Sequence, residues 1–264
     1  MPMRAKTSRR RFLKSSAFLG LASGSLPELA KGNARPDGQQ KETGLVFLFQ
    51  GDSITDGNRG RNTDPNHIMG HGYAYAIASR IGADFPERDF VFYNRGISGN
   101  KITDLQKRWQ PDTLALKPDV LSILIGINDT GATINKPAEA TTPEQFETIY
   151  RSLLDDCRRA NPETLFVLGI PFVYPVGSRQ DNWERWQSDT RNRQAVIRKL
   201  ATEFNAVVVD YPAVLDQAIA QKNTEYWVWD GIHPTVFAHE LMAREWIKQV
   251  SKRLKFLRKY RRSF

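Results

Sequence analysis

Residues 45–57 read Leu45-Val46-Phe47-Leu48-Phe49-Gln50-Gly51-Asp52-Ser53-Ile54-Thr55-Asp56-Gly57. Five apolar residues in unbroken succession suit a strand buried on both faces, since a strand covered on one face alone would alternate apolar with polar. After the run and Gln50 comes Gly51, which permits a tight exit, and Ser53 then lands near the N-terminus of whatever follows. A serine in that place presents its hydroxyl to a cleft.

Four further apolar runs follow: Phe90-Val91-Phe92-Tyr93, Val120-Leu121-Ser122-Ile123-Leu124-Ile125, Leu165-Phe166-Val167-Leu168 and Val207-Val208-Val209. Helical spacing appears at Tyr73 to Ile81, at Pro143 to Arg159 with Thr142 as cap, at Trp186 to Phe204, and at Thr235 to Leu254 after Pro234. Strand alternating with helix predicts an α/β fold: a three-layer α/β/α sandwich around a five-stranded parallel sheet. With 264 residues, 40% of them hydrophobic, the chain is long enough for one core and too short to demand two catalytic domains.

Reactive groups of such sheets gather at the carboxyl ends of the strands. The second run is followed by Asn94-Arg95-Gly96-Ile97-Ser98-Gly99-Asn100, in which Gly96 is expected to bring a bare backbone N–H up to a substrate oxygen. The third is followed by Gly126-Ile127-Asn128-Asp129, whose Asn128 amide can donate to the same oxygen. Near the C-terminus stands Trp229-Asp230-Gly231-Ile232-His233-Pro234. Each block alone is ordinary turn chemistry. Their order after successive strands is the specific signal.

Together they resemble the SGNH/GDSL hydrolase superfamily, through Gly51-Asp52-Ser53, the Gly96 segment, Gly126-x-Asn128-Asp129 and Asp230-x-x-His233, over about residues 45–250. Ile54 stands where the family name has leucine. The resemblance implies a flavodoxin-like sandwich and a serine hydrolase with Ser53 as nucleophile, His233 as base and Asp230 as the residue that orients the base. It implies an oxyanion hole made by the backbone N–H groups of Ser53 and Gly96 and the Asn128 amide, with no cofactor and no metal. The wider text, including Asp104-Leu105, Arg108-Trp109 and Lys117-Pro118-Asp119, is most similar to bacterial acetylxylan esterases and carbohydrate acetylesterases, which implies an acetylated carbohydrate as substrate. A lipase, lysophospholipase or thioesterase with the same triad is one alternative, and a noncatalytic carbohydrate-binding protein another.

The chemistry so implied is acyl transfer. Neutral serine is a poor nucleophile, and a base that takes its proton contributes about 10²–10⁴-fold. Each oxyanion donor is worth roughly 3 kcal/mol in the transition state.

Other residues receive plainer readings. His67, His71 and His239 are expected on the surface or in loops. Asp52, Asp56 and Asp129 are expected in hydrogen-bonding turns, with a metal site as the alternative. Trp229 is a candidate for lining the substrate pocket, or else packs beneath its loop. Arg59 and Arg61 read as solvated loop charges. Cys157, the one cysteine, excludes an intramolecular disulfide and reads as a small packed residue.

The formal charge of +9 lies at the chain ends. Residues 1–34 hold seven Lys/Arg against Glu28, a net of +6, and residues 252–262 hold seven Lys/Arg with no acid, which leaves the body at −4. Such a body gives no basis for nucleic-acid binding. Ser8-Arg9-Arg10-Arg11-Phe12-Leu13-Lys14 resembles a twin-arginine export motif, and Ala17-Phe18-Leu19-Gly20-Leu21-Ala22 is too short to span a bilayer. The expected organisation is therefore a signal peptide over residues 1–34, a flexible lead-in over 35–44, the hydrolase domain over 45–254 and a basic tail over 255–264, read as a solvated helix end. The expected location is periplasmic or extracellular, with the twin-arginine machinery as a partner and a homo-oligomer left open.

Overall fold

The structure, a computed structural model, describes residues 42–262. The five apolar runs form strands β1 (Val46–Gly51), β2 (Val91–Asn94), β3 (Val120–Leu124), β4 (Leu165–Gly169) and β5 (Val207–Val209). All pair in parallel, in the order β2-β1-β3-β4-β5. The helices are α1 (Ser53–Asp56), α2 (Tyr73–Asp84), α3 (Ile102–Asp112), α4 (Ile127–Asn135), α5 (Pro143–Ala160), α6 (Trp183–Glu203), α7 (Tyr211–Ile219), α8 (Thr224–Trp227) and α9 (Val236–Val250).

Successive strand residues face opposite sides of a sheet, and here both sides are covered. Phe47 and Phe49 of β1, Val167 of β4 and Val209 of β5 join Tyr73 and Ile77 of α2, Leu215 of α7 and Trp246 of α9 in one core. Leu48, Leu121, Ile123, Phe166 and Leu168 join Leu105 of α3, Tyr150 and Leu153 of α5 and Ile197 of α6 in the other, along with the buried Cys157. The result is the expected three-layer α/β/α sandwich. Ser122, the one polar residue of its run, is buried because it accepts the indole N–H of the fully buried Trp246 at 3.0 Å. A buried indole needs such a partner.

The strand order positions the site. The chain leaves β1 towards β2 on one side and returns to β3 on the other, so the loops after β1 and β3 diverge and open a crevice at their carboxyl ends. Ser53 follows β1 and Asn128 follows β3.

The long helices fall where their spacing predicts them, and Thr142 caps α5, accepting the Gln145 N–H at 3.2 Å while Gln145 Oε1 accepts the Thr142 N–H at 2.9 Å. The shorter helices α3, α4 and α7 are additions to the sequence reading. The tail departs from the solvated end expected of it. The helix α9 stops at Val250, and Lys255–Arg262 wind as a 3-10 helix. Its three-residue repeat puts Leu254, Leu257 and Tyr260 on one face. All three are buried, Phe256 meets Phe85 edge-on at 5.1 Å, and the Tyr260 hydroxyl donates to Asp84 at the end of α2. Residues 1–34, the expected export segment, and residues 35–41 of the lead-in lie outside the described residues.

Candidate active site

Ser53 is the first residue of the single-turn helix α1, so its N–H has no acceptor within the helix. Its Oγ lies 2.8 Å from His233 Nε2, and His233 Nδ1 lies 2.7 Å from Asp230 Oδ2. The other carboxylate oxygen, Asp230 Oδ1, accepts the backbone N–H groups of Ile232 at 3.0 Å and His233 at 2.7 Å. Burial pushes the Asp230 pKa up, but the hydrogen bonds from the His233 ring, the His233 N–H and the Ile232 N–H outweigh it and hold the group well below the usual carboxylate range. The hydrogen bond to Asp230 raises the His233 pKa above its ordinary value against the effect of burial. The structure thus brings Ser53, His233 and Asp230 into one line from β1 and the segment before α9, 180 residues apart for the first pair.

Three acids of the same sequence blocks are buried and take separate partners. Asp52 caps α1, with Oδ1 accepting the Ile54 N–H at 3.0 Å and Oδ2 buried without a partner. Burial raises its pKa to about 7, against the Ile54 N–H and the charge of His233. Asp129 accepts the Ile102 N–H at 3.2 Å and ties α4 to the start of α3, and burial raises its pKa to about 6 against the charge of Arg193. Asp56 receives Arg61 on both oxygens, at 3.0 and 2.6 Å, and Ser98 through its N–H and Oγ, each at 3.1 Å. These are the hydrogen-bonding roles expected of them. Among the described residues no group of three or more His, Cys, Asp or Glu is spaced to hold a metal ion.

Gly96 does not take the place expected of it. It is buried, and its N–H is already given to the Asn94 side-chain oxygen at 2.9 Å. A Cβ there would lie 2.3 Å from the backbone nitrogen of Asp56, so the glycine serves the close crossing of two backbones and offers no free N–H to an oxyanion. Three residues on, Gly99 is exposed, has a φ of +81° and lines the same cleft as Asn128. Asn128 gives one amide hydrogen to the Asn100 carbonyl at 3.1 Å, which leaves its second hydrogen free for the cleft. The signal for Gly99 was in the sequence, as the second glycine of the same block in a turn. Gly96→Ala is accordingly expected to destabilise the protein by about 3 kcal/mol through overpacking, read as the midpoint of urea unfolding. An unchanged midpoint would mean that the crossing is not tight.

Trp229 is 61% exposed, with its ring stacked by His233 at 6.3 Å between centroids. It stands at the mouth of the site and does not pack beneath the loop. His67 and His71 are exposed, as expected. His239 is not: it is buried in α9, its Nδ1 accepts the Tyr73 N–H at 3.1 Å, and burial lowers its pKa to about 4. It supplies from another helix the cap that Gly72 lacks. Arg59 also corrects the reading of solvated charge. Its side chain is 8% exposed, and its Nε donates to the Gly96 carbonyl at 3.0 Å.

The profile of the GDSL-like Lipase/Acylhydrolase family matches residues 49–241, from within β1 into α9. An acetylxylan esterase of Geobacillus stearothermophilus is 32% identical over 213 residues, covering 79% of this chain and 94% of the relative. A crystal structure of an acetylxylan esterase from that organism has a TM-score of 0.70 at 30% identity, over 80% of this chain and 96% of its own. A crystal structure from Parabacteroides merdae, described as a GDSL-like lipase, has a TM-score of 0.76 at 36% identity, over 80% and 98% of the two chains.

Proposed function

The chain belongs to the GDSL-like lipase/acylhydrolase family and is a carboxylic ester hydrolase, and from that premise we propose that it removes O-acetyl groups from carbohydrate through an acyl-enzyme on Ser53. The observation that carries the mechanism is the unbroken line from Ser53 Oγ through the His233 ring to Asp230. The ionised Asp230 keeps the imidazole proton on Nδ1, so Nε2 turns its lone pair to Ser53. As Oγ bonds to the ester carbonyl carbon, its proton passes to Nε2. Charge gathers on the carbonyl oxygen, and the Ser53 N–H, the Gly99 N–H and the free Asn128 hydrogen serve as the oxyanion donors. Collapse breaks the C–O bond to the sugar, whose oxygen takes the proton from Nε2. Water then attacks the acetyl carbonyl with His233 again as base, and acetate leaves with Ser53 restored.

The substrate reading is supported by the named acetylxylan esterase relative and by the cleft itself. Its volume is about 250 Å³, and Lys101, Asn128, Lys136 and Arg179 among its walls suit a hydroxyl-rich ligand better than a long acyl chain. The twin-arginine-type segment at Ser8 to Lys14 supports a location outside the cytoplasm, where the export machinery is a partner and polysaccharide is at hand.

A p-nitrophenyl ester series, run beside acetate release from acetylated xylan, tests the proposal. The rate is expected to peak at the acetate ester and fall at least about tenfold by octanoate, since misfit methylenes discriminate on that scale, and xylan is expected to lose acetate. A maximum at octanoate would replace sugar by lipid and leave the triad standing.

A further inference from the structure

The cleft beside the triad carries more positive charge than its own acids balance. Lys101 pairs with Asp104 at 3.5 Å and with Glu139 at 3.6 Å, and Lys136 shares Glu139 at 3.7 Å. Arg179 lines the same cleft and has no carboxylate among the described residues. One Nη donates to the Ser178 hydroxyl at 2.7 Å, while Nε is buried with no acceptor.

Its position is fixed on two sides. The guanidinium lies over the Trp186 ring at 5.5 Å, and Trp186 itself is buried. The loop that carries Arg179 packs on the triad segment: the Tyr174 N–H donates to the Gly231 carbonyl at 2.8 Å, and a Cβ on Gly231 would lie 3.5 Å from the Arg179 Cβ.

A fixed cation so placed works against the chemistry. Imidazolium forms on His233 in each half-reaction, and the charge of Arg179 opposes it, lowering the His233 pKa where Asp230 raises it. An anion in the cleft offsets that charge. With Nε buried, a planar carboxylate is met by the Nη–H donors, whose planar spread guanidinium offers and ammonium does not.

We propose that Arg179 is a specificity-determining residue that receives the carboxylate of a uronic acid carried by the acetylated substrate. The substrate half of this statement rests on the carbohydrate reading above. The carboxylate site rests on Arg179 alone.

Two assays test it. In the first, the protein and its R179Q variant are compared on acetylated xylo-oligosaccharides with and without a glucuronic acid branch. The kcat/KM ratio, acidic over neutral, is expected to exceed one in the unaltered protein, to fall about tenfold in R179Q, and to recover in part in R179K, which keeps the charge and loses the planar spread of donors. In the second, free glucuronate and glucose compete with p-nitrophenyl acetate. Glucuronate is expected to inhibit the unaltered protein at about tenfold lower concentration than glucose, with the difference gone in R179Q. An unchanged ratio in R179Q, or glucuronate no better than glucose on the unaltered protein, overturns the proposal. If no oligosaccharide loses acetate while glucuronate still outcompetes glucose through Arg179, the carbohydrate acetyl reading fails and the carboxylate site stands.

Discussion

A Ser53→Ala protein is expected to fold as its parent does and to hydrolyse p-nitrophenyl acetate about 10⁵-fold more slowly in kcat. The contact that the hydroxyl makes is with His233 Nε2 at 2.8 Å, so its loss leaves no buried group stranded. The Asp52 cap of α1 stays in place, with Oδ1 still on the Ile54 N–H, and alanine is well tolerated at the first position of a helix. The thermal midpoint is expected to move by no more than about 2 °C. What disappears is the atom that forms the acyl bond in the proposed mechanism. Residual turnover above about 1% of the parent would mean that water attacks the ester directly, and would remove Ser53 as nucleophile.

Much of this arrangement was legible because the relevant signals are local in sequence. Runs such as Leu45 to Phe49 announce two-sided burial by their continuity, and the five strands follow from it. Asp230 and His233 sit three residues apart, so one turn can supply both. Features decided by long-range packing were not legible. Nothing within Val236 to Val250 says that His239 will reach across to cap α2, since that depends on how two helices meet on the sheet. Arg59 looks like any loop arginine until Gly96 brings its carbonyl within 3.0 Å. Gly96 and Gly99 carry the same side chain and differ in what crosses behind them: the backbone of Asp56 behind one and nothing within 4 Å of the other. The tail misled because its charges outnumber its apolar residues. Only a three-residue period, read in place of the helical 3.6, gathers Leu254, Leu257 and Tyr260 onto one buried face.

Asp230→Asn is expected to lower kcat/KM by about 10⁴-fold, and the reason lies in which atoms accept which protons. Asp230 Oδ1 accepts two backbone N–H groups and Oδ2 accepts His233 Nδ1. Asparagine has one oxygen and one NH₂. The two backbone donors claim the oxygen, so the NH₂ turns to Nδ1, which must then accept. The ring proton moves to Nε2 and points at Ser53 Oγ, where a lone pair is needed. The pH profile is expected to move as well. In the parent the hydrogen bond to Asp230 and its charge raise the His233 pKa, so activity rises with pH only as that raised group loses its proton, above the ordinary histidine value of about 6.5. Without the carboxylate both raising causes go, and the residual acid limb shifts to lower pH. Stability changes with the opposite emphasis. The ion pair exists only where Asp230 is ionised and His233 protonated, so it stabilises the parent at pH 5 and is lost as pH rises through the His233 pKa. With the His233 side chain 37% exposed, solvent screening holds that difference to about 1 kcal/mol. Rates and urea midpoints of both proteins from pH 5 to 9 measure the two effects together. A rate loss below about tenfold, or an acid limb that does not move, would mean that His233 finds its tautomer without Asp230 and that the carboxylate only shapes the loop.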